Sequence, residues 1–223
     1  MLKIGIVGCG WVADKHIPFI KSIENCQISG IADSNNVFRD QTAERHGLPL
    51  KSVFSSLSHL LNGTDVDVIH ILTPPFSHRE LALEAIDCGK HVYIEKPLAL
   101  NFNEVKQIFN AADANDVSVC PGYNYLFDPI VLRAIDIVKS PAFGRVVYVE
   151  SYYGMNMRRY DRLKTSRENE IHWSYHLPGG FHQNYITHPL YMCLILTCKV
   201  QNLHVTCKAM GSIPQELTDE IRV

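Results

Sequence analysis

Basic runs, long apolar stretches and paired cysteines are all missing from this 223-residue sequence. Its formal net charge is -2, so it shows no electrostatic footprint for nucleic acid or an anionic membrane. No apolar stretch reaches the roughly 20 residues that a membrane-spanning helix requires. The N-terminal residues Leu2–Val7 lack the charged leader of a signal peptide and are expected to form a strand. We therefore expect no nucleic-acid partner and no membrane partner.

The cysteines do not follow a pattern typical of disulfides. They are odd in number, contain no C-x-x-C pair, and are Cys9, Cys26, Cys88, Cys120, Cys193, Cys198 and Cys207. This distribution predicts reduced thiols in a cytoplasmic protein. Four closely spaced histidines, His172, His176, His182 and His188, suggest zinc as another interpretation. No H-E-x-x-H pattern accompanies them and an irregular loop separates them, so we assign no metal.

The first 33 residues follow a pattern of strand, turn, helix and strand that ends in an acid. The run Leu2–Val7 leads into Gly8–Ala13, which reads G-C-G-W-V-A, and a second apolar run ends at Asp33. A glycine turn alone also occurs in other α/β proteins. Its position between a strand and a helix, with an acid at the next strand end, is more specific. The pattern predicts a dinucleotide-binding site of the Rossmann type.

Each position of this motif has a physical role in holding a dinucleotide. Gly8 permits the tight turn, and Gly10 lets the backbone approach a pyrophosphate. The helix begins at Trp11 and Val12, where N–H groups and the positive end of the helix dipole face the phosphates. Asp33 is placed to accept hydrogen bonds from ribose hydroxyls. A carboxylate there favours NAD, because it repels the 2′-phosphate of NADP.

Strands and helices alternate through about residue 120, which predicts a doubly wound parallel sheet with helices on both faces. The pattern changes near Pro121-Gly122. We therefore expect an NAD(P)-binding Rossmann domain at residues 1–121. An α+β domain for substrate binding and oligomerisation is expected at residues 122–223.

The second domain is expected to contain an open, largely antiparallel sheet. Apolar and polar residues alternate over Arg145–Tyr153, and Val200–Met210 is a second predicted strand. A helix begun by Asp128-Pro129 is predicted to run to Lys139. Another helix is predicted over His182–Leu196, and Pro189 is expected to kink it or to mark where its regular part begins.

Ligands of doubly wound sheets bind at the carboxyl ends of the strands, so these ends supply candidate site residues. Thr73 and Pro74 end one buried strand, and Glu95-Lys96-Pro97 follows another. A lysine is commonly a solvated surface residue, but Lys96 lies on the ligand edge and is fixed by Pro97. Lys96 can donate a proton or hydrogen bond to a substrate hydroxyl or carbonyl. Glu95 can orient it or contact the nicotinamide ribose.

A second candidate group lies on the helix His182–Leu196. Asn184 and His188 are four residues apart and so share one helix face. If His188 is held near Lys96, it can accept the hydroxyl proton as hydride leaves the carbon. The spacing allows equally that His188 caps or fills a domain interface.

These motifs, in this order and spacing, resemble the Gfo/Idh/MocA family, which is named for glucose–fructose oxidoreductase and inositol dehydrogenase. The resemblance covers essentially the whole chain. Its markers are Gly8–Ala13, Thr73-Pro74-Pro75 with His78, Glu95-Lys96-Pro97, Tyr123-Asn124, and Gly179-Gly180 with His188. Members are NAD(P)-dependent enzymes acting on sugars, cyclitols and sugar nucleotides, and the resemblance implies an activity of this kind.

The resemblance also implies roles for single residues. Lys96 matches a lysine that contacts substrate and nicotinamide, His188 matches a proposed acid/base, and Asn124 matches a polar residue near the nicotinamide. The residues expected to face the substrate are Tyr153, Arg159, Trp173 and His182. The residues expected to bind the cofactor are Gly8, Gly10, Trp11, Val12, Asp33, Thr73, Pro74, His78, Glu95, Lys96 and Asn124.

The chain departs from the family pattern in two respects. Many members carry an aspartate four residues before the histidine, whereas this chain has Asn184, whose amide cannot share a proton. Any acid/base role is thereby shifted onto His188 and Lys96. Family chains are also longer, with a larger second sheet that often forms the oligomer interface. We therefore expect the domain 122–223 to be incomplete and the protein to form a homo-oligomer through that sheet.

Three functions are consistent with the sequence. The leading hypothesis is a dehydrogenase that transfers hydride between NAD and a secondary alcohol of a sugar, cyclitol or sugar derivative. Arg39 lies close enough to Asp33 in the sequence to leave NADP open. One alternative keeps the cofactor bound and uses transient oxidation for glycoside cleavage or epimerisation. The other is a dinucleotide-binding sensor or partner without catalysis.

The substrate is expected to be selected by the polar segment from Met155 to His176. Five basic residues are concentrated there, namely Arg158, Arg159, Arg162, Lys164 and Arg167. They suit an anionic substrate such as a sugar phosphate, a uronate or a nucleotide sugar. A solvated loop is the more common explanation of such a charge cluster.

Overall fold

The computed structural model describes residues 1–153 and 172–197, together with two short strands near the C-terminus. The chain divides into two compact units, Met1–Gly122 and Tyr123–Val223. None of the described helices combines the length and the apolar character that crossing a bilayer requires. The cytoplasmic location and the homo-oligomer remain predictions.

The first unit contains a six-stranded sheet in the order β3-β2-β1-β4-β5-β6, and every neighbouring pair is parallel. This confirms the predicted doubly wound parallel sheet. The strands are β1 (Leu2–Val7), β2 (Cys26–Ala32), β3 (Val53–Phe54), β4 (Val68–Ile71), β5 (His91–Ile94) and β6 (Val119–Pro121). The order reverses at β1, so the carboxyl ends of β1 and β4 flank the crevice where such sheets bind ligands.

Five helices cover the two faces of this sheet. They are α1 (Trp11–Ser22), α2 (Asn36–Arg45), α3 (Leu57–Gly63), α4 (His78–Asp87) and α5 (Phe102–Ala114). Side chains of α1 and α2 pack on one face around Ile6 and Ile31, both fully buried. Side chains of α3, α4 and α5 pack on the other face around Ile69 and Ile71. Because successive strand residues point to opposite faces, one apolar strand supplies both cores.

Polar residues at the helix starts explain why the helices begin where they do. The side chain of Asn101 accepts a hydrogen bond from the Glu104 backbone N–H at 3.1 Å and so caps α5. Glu104 reaches back and accepts from the Leu100 N–H at 3.0 Å, so the two residues form a reciprocal capping arrangement. Ser56 caps α3 in the same way through the His59 N–H at 3.2 Å.

Two glycines lie side by side in the centre of the sheet. Gly5 of β1 pairs with Gly30 of β2, and the methyl groups of Leu60 on α3 occupy the space above them. A Cβ added at Gly5 would lie 3.0 Å from Leu60 Cδ2 and 2.7 Å from Ile69 Cδ1. A Cβ at Gly30 would lie 2.9 Å from the Phe54 ring. Helix α3 therefore approaches the sheet at a distance that only glycine allows.

The second unit begins with a short turn and the predicted helix, α6 (Pro129–Lys139). The predicted single helix over His182–Leu196 is wrong, because the structure has two helices, α7 (Gly180–Tyr185) and α8 (Thr187–Thr197). Pro189 explains the break. It has no N–H to donate to the carbonyl of Tyr185, and its ring clashes with that carbonyl in a continuous helix.

The predicted strand Arg145–Tyr153 is also wrong, because these residues form no strand in the structure. Val147 is 81% exposed and Tyr148 is 75% exposed, so neither face of the alternating segment is buried. An alternating pattern becomes a strand only when another strand satisfies its backbone groups. The described part of the second unit contains one strand pair, the antiparallel β7 (Thr206–Lys208) and β8 (Glu220–Arg222).

Candidate functional site

The glycine turn after β1 is shaped by close contact with the end of β4. Gly8 has a φ of +96°, and its N–H donates to the carbonyl of Ala32 at 2.9 Å. A Cβ at Gly8 would lie 2.8 Å from the backbone carbon of Leu72 and from the nitrogen of Thr73. Both the conformation and the space therefore require glycine at this position.

Gly10 shows the opposite situation, because a Cβ there would meet no atom of the described residues within 4 Å. Helix α1 begins at the next residue, Trp11, and the first N–H groups of a helix have no partner within the helix. The indole of Trp11 is half-exposed and lies under the Lys15 ammonium, 5.1 Å from the ring centroid. Val12 packs against the core instead. The open space beside a helix start fits a dinucleotide pyrophosphate.

Asp33 lies at the carboxyl end of β2, and both of its carboxylate oxygens accept backbone hydrogen bonds. Oδ2 accepts from the Cys9 N–H at 2.7 Å, and Oδ1 accepts from the Asn35 N–H at 2.8 Å. The carboxylate is therefore fixed beside the glycine turn. Arg39 donates to the backbone carbonyl of Asp33 at 3.3 Å and to the Asp40 carboxylate at 3.2 Å.

A cleft of about 260 Å³ lies along the carboxyl ends of β1, β2 and β4. Its polar lining includes Asp33, Thr73 and Glu84, and within the described ranges no lysine or arginine lines it. The remaining lining residues are Val7, Gly8, Ala32, Ser34, Ser55, Ser56, Leu57, Ser58, Ser77 and Leu81. The Ser77 hydroxyl donates to that of Thr73 at 2.8 Å, while Pro74 beside it is exposed. The cleft thus combines hydroxyl groups with a net negative charge.

His78 lies behind this cleft and connects two of its loops. Nδ1 lies 3.0 Å from the Pro97 carbonyl, and Nε2 lies 2.8 Å from the Thr73 carbonyl. The side chain is fully buried. Burial lowers the pKa of His78, although the two carbonyl contacts act in the opposite direction. Any effect of His78 on a cofactor would therefore be exerted through the Thr73 and Pro97 loops.

Glu95 and Lys96 follow β5, and the carboxylate of Glu95 is surrounded by partners from the first unit. Oε2 accepts from the Lys96 backbone N–H at 3.1 Å, and Oε1 accepts from the Tyr93 hydroxyl at 3.1 Å. His16 Nε2 lies 3.3 Å from Oε1. Burial acts to raise the pKa of Glu95, but the hydrogen bond and charge of His16, with Lys96, lower it further than burial raises it. Lys96 itself is half-buried.

His188 of the second unit is buried and held by a phenol. It is 6% exposed, and its Nδ1 lies 2.7 Å from the Tyr191 hydroxyl. The rings of Tyr125 and Tyr153 flank it at centroid distances of 4.7 and 5.1 Å. Burial raises the pKa of Tyr153, and its hydrogen bond with Tyr125 raises it further. Asn184 is also 6% exposed. Tyrosine rings thus surround the candidate base.

The other predicted residues of the second unit have varied surroundings. Asn124 is exposed at the start of a short turn, and Trp173 and His182 are half-buried. Arg159 lies outside the described residues. Of the histidines weighed as zinc ligands, His172 contacts the Ser174 hydroxyl at 2.8 Å. In the described ranges no three His, Cys, Asp or Glu side chains converge on a position for a metal.

The sequence patterns missed three residues of these sites, namely His16, Tyr93 and Tyr191. Strand alternation places Tyr93 and Glu95 on the same face, so that pair could have been found from spacing of two. His16 lies on α1, far from Glu95 in the sequence, and only the packing of α1 on the sheet brings the two together. Tyr191 follows His188 by three residues, a spacing that places both on one helix face.

Comparison with known proteins identifies related chains. Residues 2–123 match the family model described as an oxidoreductase family with an NAD-binding Rossmann fold. Oxidoreductase P35 of Formosa agariphila is 26% identical over 97% of this chain and 67% of its own. The alpha-N-acetylgalactosaminidase of Shewanella oneidensis is 26% identical over 71% of this chain and 36% of its own.

A solved structure shows the same relationship. The WlbA dehydrogenase of Bordetella pertussis, in complex with NADH and UDP-GlcNAcA, is 26% identical with a TM-score of 0.59. The match covers 65% of this chain and 44% of that one. The chain therefore spans between about a third and two thirds of the length of these three relatives.

Proposed function

The chain belongs to the Gfo/Idh/MocA oxidoreductase family, and from this premise we propose that it is a dehydrogenase acting on a secondary alcohol of a sugar derivative. The first unit is the NAD-binding Rossmann domain of that family. The observation that carries the proposal is the open space beside Gly10, where helix α1 starts next to the Asp33 cleft. A binding surface for a dinucleotide and a lysine at the same sheet edge are the two parts that hydride chemistry needs.

The cofactor would be held by the first unit. The pyrophosphate would lie against Gly10 and the first turn of α1, and the adenosine ribose would bond to Asp33. When bound, a nicotinamide cofactor supplies the hydride acceptor and donor. Asp33 and Glu84 give the cleft a negative charge that opposes a 2′-phosphate, which supports NAD over NADP. Arg39 is engaged by the Asp33 carbonyl and by Asp40, so it is already neutralised.

Proton transfer would be handled by two residues. Lys96 would bond to the oxygen of the reacting alcohol and stabilise the charge that develops on it. His188, fixed by the Tyr191 hydroxyl, would accept the alcohol proton as hydride leaves the carbon. Asn184 would donate or accept a hydrogen bond to a neighbouring substrate hydroxyl.

The substrate class is proposed from the relatives and the sequence together. The WlbA structure holds a nucleotide-linked sugar acid, so that protein binds an anionic sugar derivative. The segment from residue 155 to residue 176 of this chain is rich in basic residues, which would suit an anion of the same kind. We therefore include uronates, sugar phosphates and nucleotide sugars beside neutral sugars and cyclitols as substrates to test.

A second candidate function is glycoside cleavage with a retained cofactor. The similarity to an alpha-N-acetylgalactosaminidase favours it, because that relative matches 71% of this chain. In such a reaction the oxidation of the sugar would be reversed in the same cycle, and no net NADH would form. Release of a leaving group without NADH would distinguish this function from a dehydrogenase.

Calorimetric titration of the purified chain with NAD+, NADH, NADP+ and NADPH is the first test. We expect binding of NAD+ and NADH. We then expect NADH formation with one member of the sugar panel, which consists of the neutral sugars, cyclitols, uronates, sugar phosphates and nucleotide sugars named above. Lys96→Ala should lower turnover by at least about a hundredfold, with dinucleotide binding retained. Lys106→Ala, at an exposed lysine on α5, is the matched control and should keep full activity.

Three results would contradict the proposal or a part of it. Binding of a dinucleotide without turnover of any sugar would favour a sensor. Full turnover in Lys96→Ala would remove Lys96 from the reaction. Absence of dinucleotide binding by a folded sample would overturn the proposed function altogether.

A further inference from the structure

The carboxylate of Glu95 joins helix α1 to the loop that carries Lys96. One oxygen accepts the backbone N–H of Lys96 at 3.1 Å. The other oxygen lies 3.3 Å from Nε2 of His16, which is a residue of α1. A single side chain therefore bridges the helix whose start borders the glycine turn and the backbone of the candidate catalytic lysine.

The surroundings of this bridge are aromatic and largely closed to solvent. The Glu95 side chain is 17% exposed and that of His16 is 21% exposed. His70 stacks on Tyr93 with a centroid distance of 4.8 Å, and His16 meets the ring of Tyr93 edge-on at 5.3 Å. Tyr93 also donates its hydroxyl to Glu95. Hydrogen bonds in such a setting are stronger and more directional than bonds at the surface.

His70 is the third aromatic residue around the bridge, and it is not among the described hydrogen-bond donors to the Glu95 carboxylate. Its Nδ1 is buried and has no hydrogen-bond partner among the residues that the structure describes. Burial lowers the pKa of His70 to about 4, and the neighbouring His16 lowers it too. His70 is therefore neutral at physiological pH. The hydrogen bonds described for the Glu95 carboxylate come from His16, Tyr93 and the Lys96 N–H.

We propose that His16 is a positioning residue for Lys96 and acts through the Glu95 carboxylate. The inference rests on the proposed function for its meaning, because Lys96 is the catalytic lysine only in that proposal. His16 lies within the second turn of α1, and α1 begins at the pyrophosphate-binding turn. The bridge therefore sets the Lys96 backbone in a fixed position relative to the element that would hold the cofactor. Glu95 serves here as a support rather than as a ligand of the cofactor.

Amide hydrogen exchange tests this bridge directly and needs neither cofactor nor turnover. The Lys96 N–H is one of the bonded groups, so its exchange rate reports whether Glu95 is held in place. The variants are His16→Asn and His16→Gln. The amide nitrogen of glutamine matches Nε2 of histidine, whereas that of asparagine matches Nδ1 and falls short of Glu95. His59→Asn, at an exposed histidine of α3, is the matched control.

We expect the Lys96 amide to exchange about twofold to tenfold faster in His16→Asn, which corresponds to one weakened hydrogen bond. The rate should return toward that of the unchanged protein in His16→Gln and stay unchanged in His59→Asn. Glu95→Ala should accelerate exchange at least as much as His16→Asn. Amides of β1 should keep their protection in all variants, since the sheet core is not part of the bridge.

Three results would overturn the inference. The first is an unchanged Lys96 rate in His16→Asn together with a faster rate in Glu95→Ala, since Tyr93 alone would then hold the carboxylate. The second is equal acceleration at Lys96 and β1 without recovery in His16→Gln, since His16 would then stabilise only the fold. The third is equal rates in the Asn and Gln variants. NADH titration of the same samples, expected to change less than twofold, separates this outcome from a failure of the proposed function.

Discussion

The Tyr191 hydroxyl lies 2.7 Å from Nδ1 of His188, and both residues are almost completely buried. The phenol and the imidazole lie one helical turn apart on α8. A histidine that exchanges protons needs one nitrogen held so that the ring keeps a single orientation. Tyr191 supplies that contact in this chain, at a place where Asn184 has no acidic group to offer.

Removing this hydroxyl should weaken catalysis and leave cofactor binding unchanged. In Tyr191→Phe the ring still packs beside His188, but the hydrogen bond is lost. We expect kcat to fall by about tenfold, with the KM for NAD+ changed less than twofold. Steady-state kinetics with the substrate from the sugar panel measures both values. Tyr152→Phe is the control, because that phenol is 91% exposed. Equal kcat values in both variants would remove Tyr191 from the site.

Gly8 and Gly10 should respond differently to the same change. In Gly8→Ala the new Cβ meets the Leu72 backbone at 2.8 Å in a left-handed conformation. We expect a loss of about 2–5 kcal/mol in the free energy of unfolding of the first unit. In Gly10→Ala the Cβ enters open space, so stability should change by less than about 0.5 kcal/mol. Dinucleotide affinity should nevertheless fall. Urea unfolding and NADH titration check the pair, and a stable Gly8→Ala would contradict it.

Asp33 should decide between NAD and NADP. In Asp33→Asn the negative charge is lost. The amide nitrogen replaces one carboxylate oxygen and cannot accept a hydrogen bond, so the bond from either the Cys9 or the Asn35 N–H is lost. We expect NAD+ affinity to fall about tenfold or more, because bonds to a charged group contribute about 1.5–3 kcal/mol. NADP+ affinity should fall less or rise. Asp113→Asn is the control, since Asp113 is exposed in the last turn of α5. An unchanged affinity ratio would show that Asp33 does not meet the ribose.

Cys9 should be chemically inert despite its place in the dinucleotide turn. Its thiol is 4% exposed and contacts the Ala32 carbonyl at 3.7 Å. Burial, followed by the charge of Asp33, raises the pKa of Cys9 to about 12. A raised pKa keeps the thiol protonated below that pH, so at pH 8 only about one molecule in ten thousand carries a thiolate.

Iodoacetamide labelling followed by peptide mass spectrometry measures this reactivity. We expect Cys9 to react at least about a hundredfold more slowly than the exposed Cys88 in the folded protein. In urea the two rates should become similar. Comparable labelling of Cys9 and Cys88 without denaturant would show that the turn opens in solution.

The parallel sheet could be predicted because its signals are local. Each buried strand is a short apolar run, and three of the five helices of the first unit begin with a side-chain cap, such as Asn101 for α5. The glycine turn and Asp33 also belong to one continuous segment, so their proximity followed from chain order. The structure adds that Asp33 bonds to the turn itself through the Cys9 N–H.

The errors concern features that depend on distant partners. The alternation in Arg145–Tyr153 is the pattern of a strand. A strand also needs a second strand to pair with, and the alternation does not indicate whether one is present. The expectation that Pro189 marks where the regular part of the helix begins is confirmed, because Pro189 lies in the first turn of α8. The error was to extend one helix across Ile186. The bridge from His16 to Glu95 joins residues 79 positions apart, and no local pattern indicates it. Site roles for Lys96, His188 and the substrate residues stay predictions.

Gly5 and Gly30 give the sheet a place where no side chain is tolerated, because Leu60 fills the space above both. Helix α3, which carries Leu60, follows directly from Ser55 and Ser56 in the wall of the cleft. A side chain at Gly30 would push α3 outward and move that wall with it. In a screen of random mutants for cofactor binding, Gly30 would therefore score like a contact residue although it lies in the middle of a strand. Engineers who alter cofactor preference should leave these two glycines unchanged and vary the serines instead.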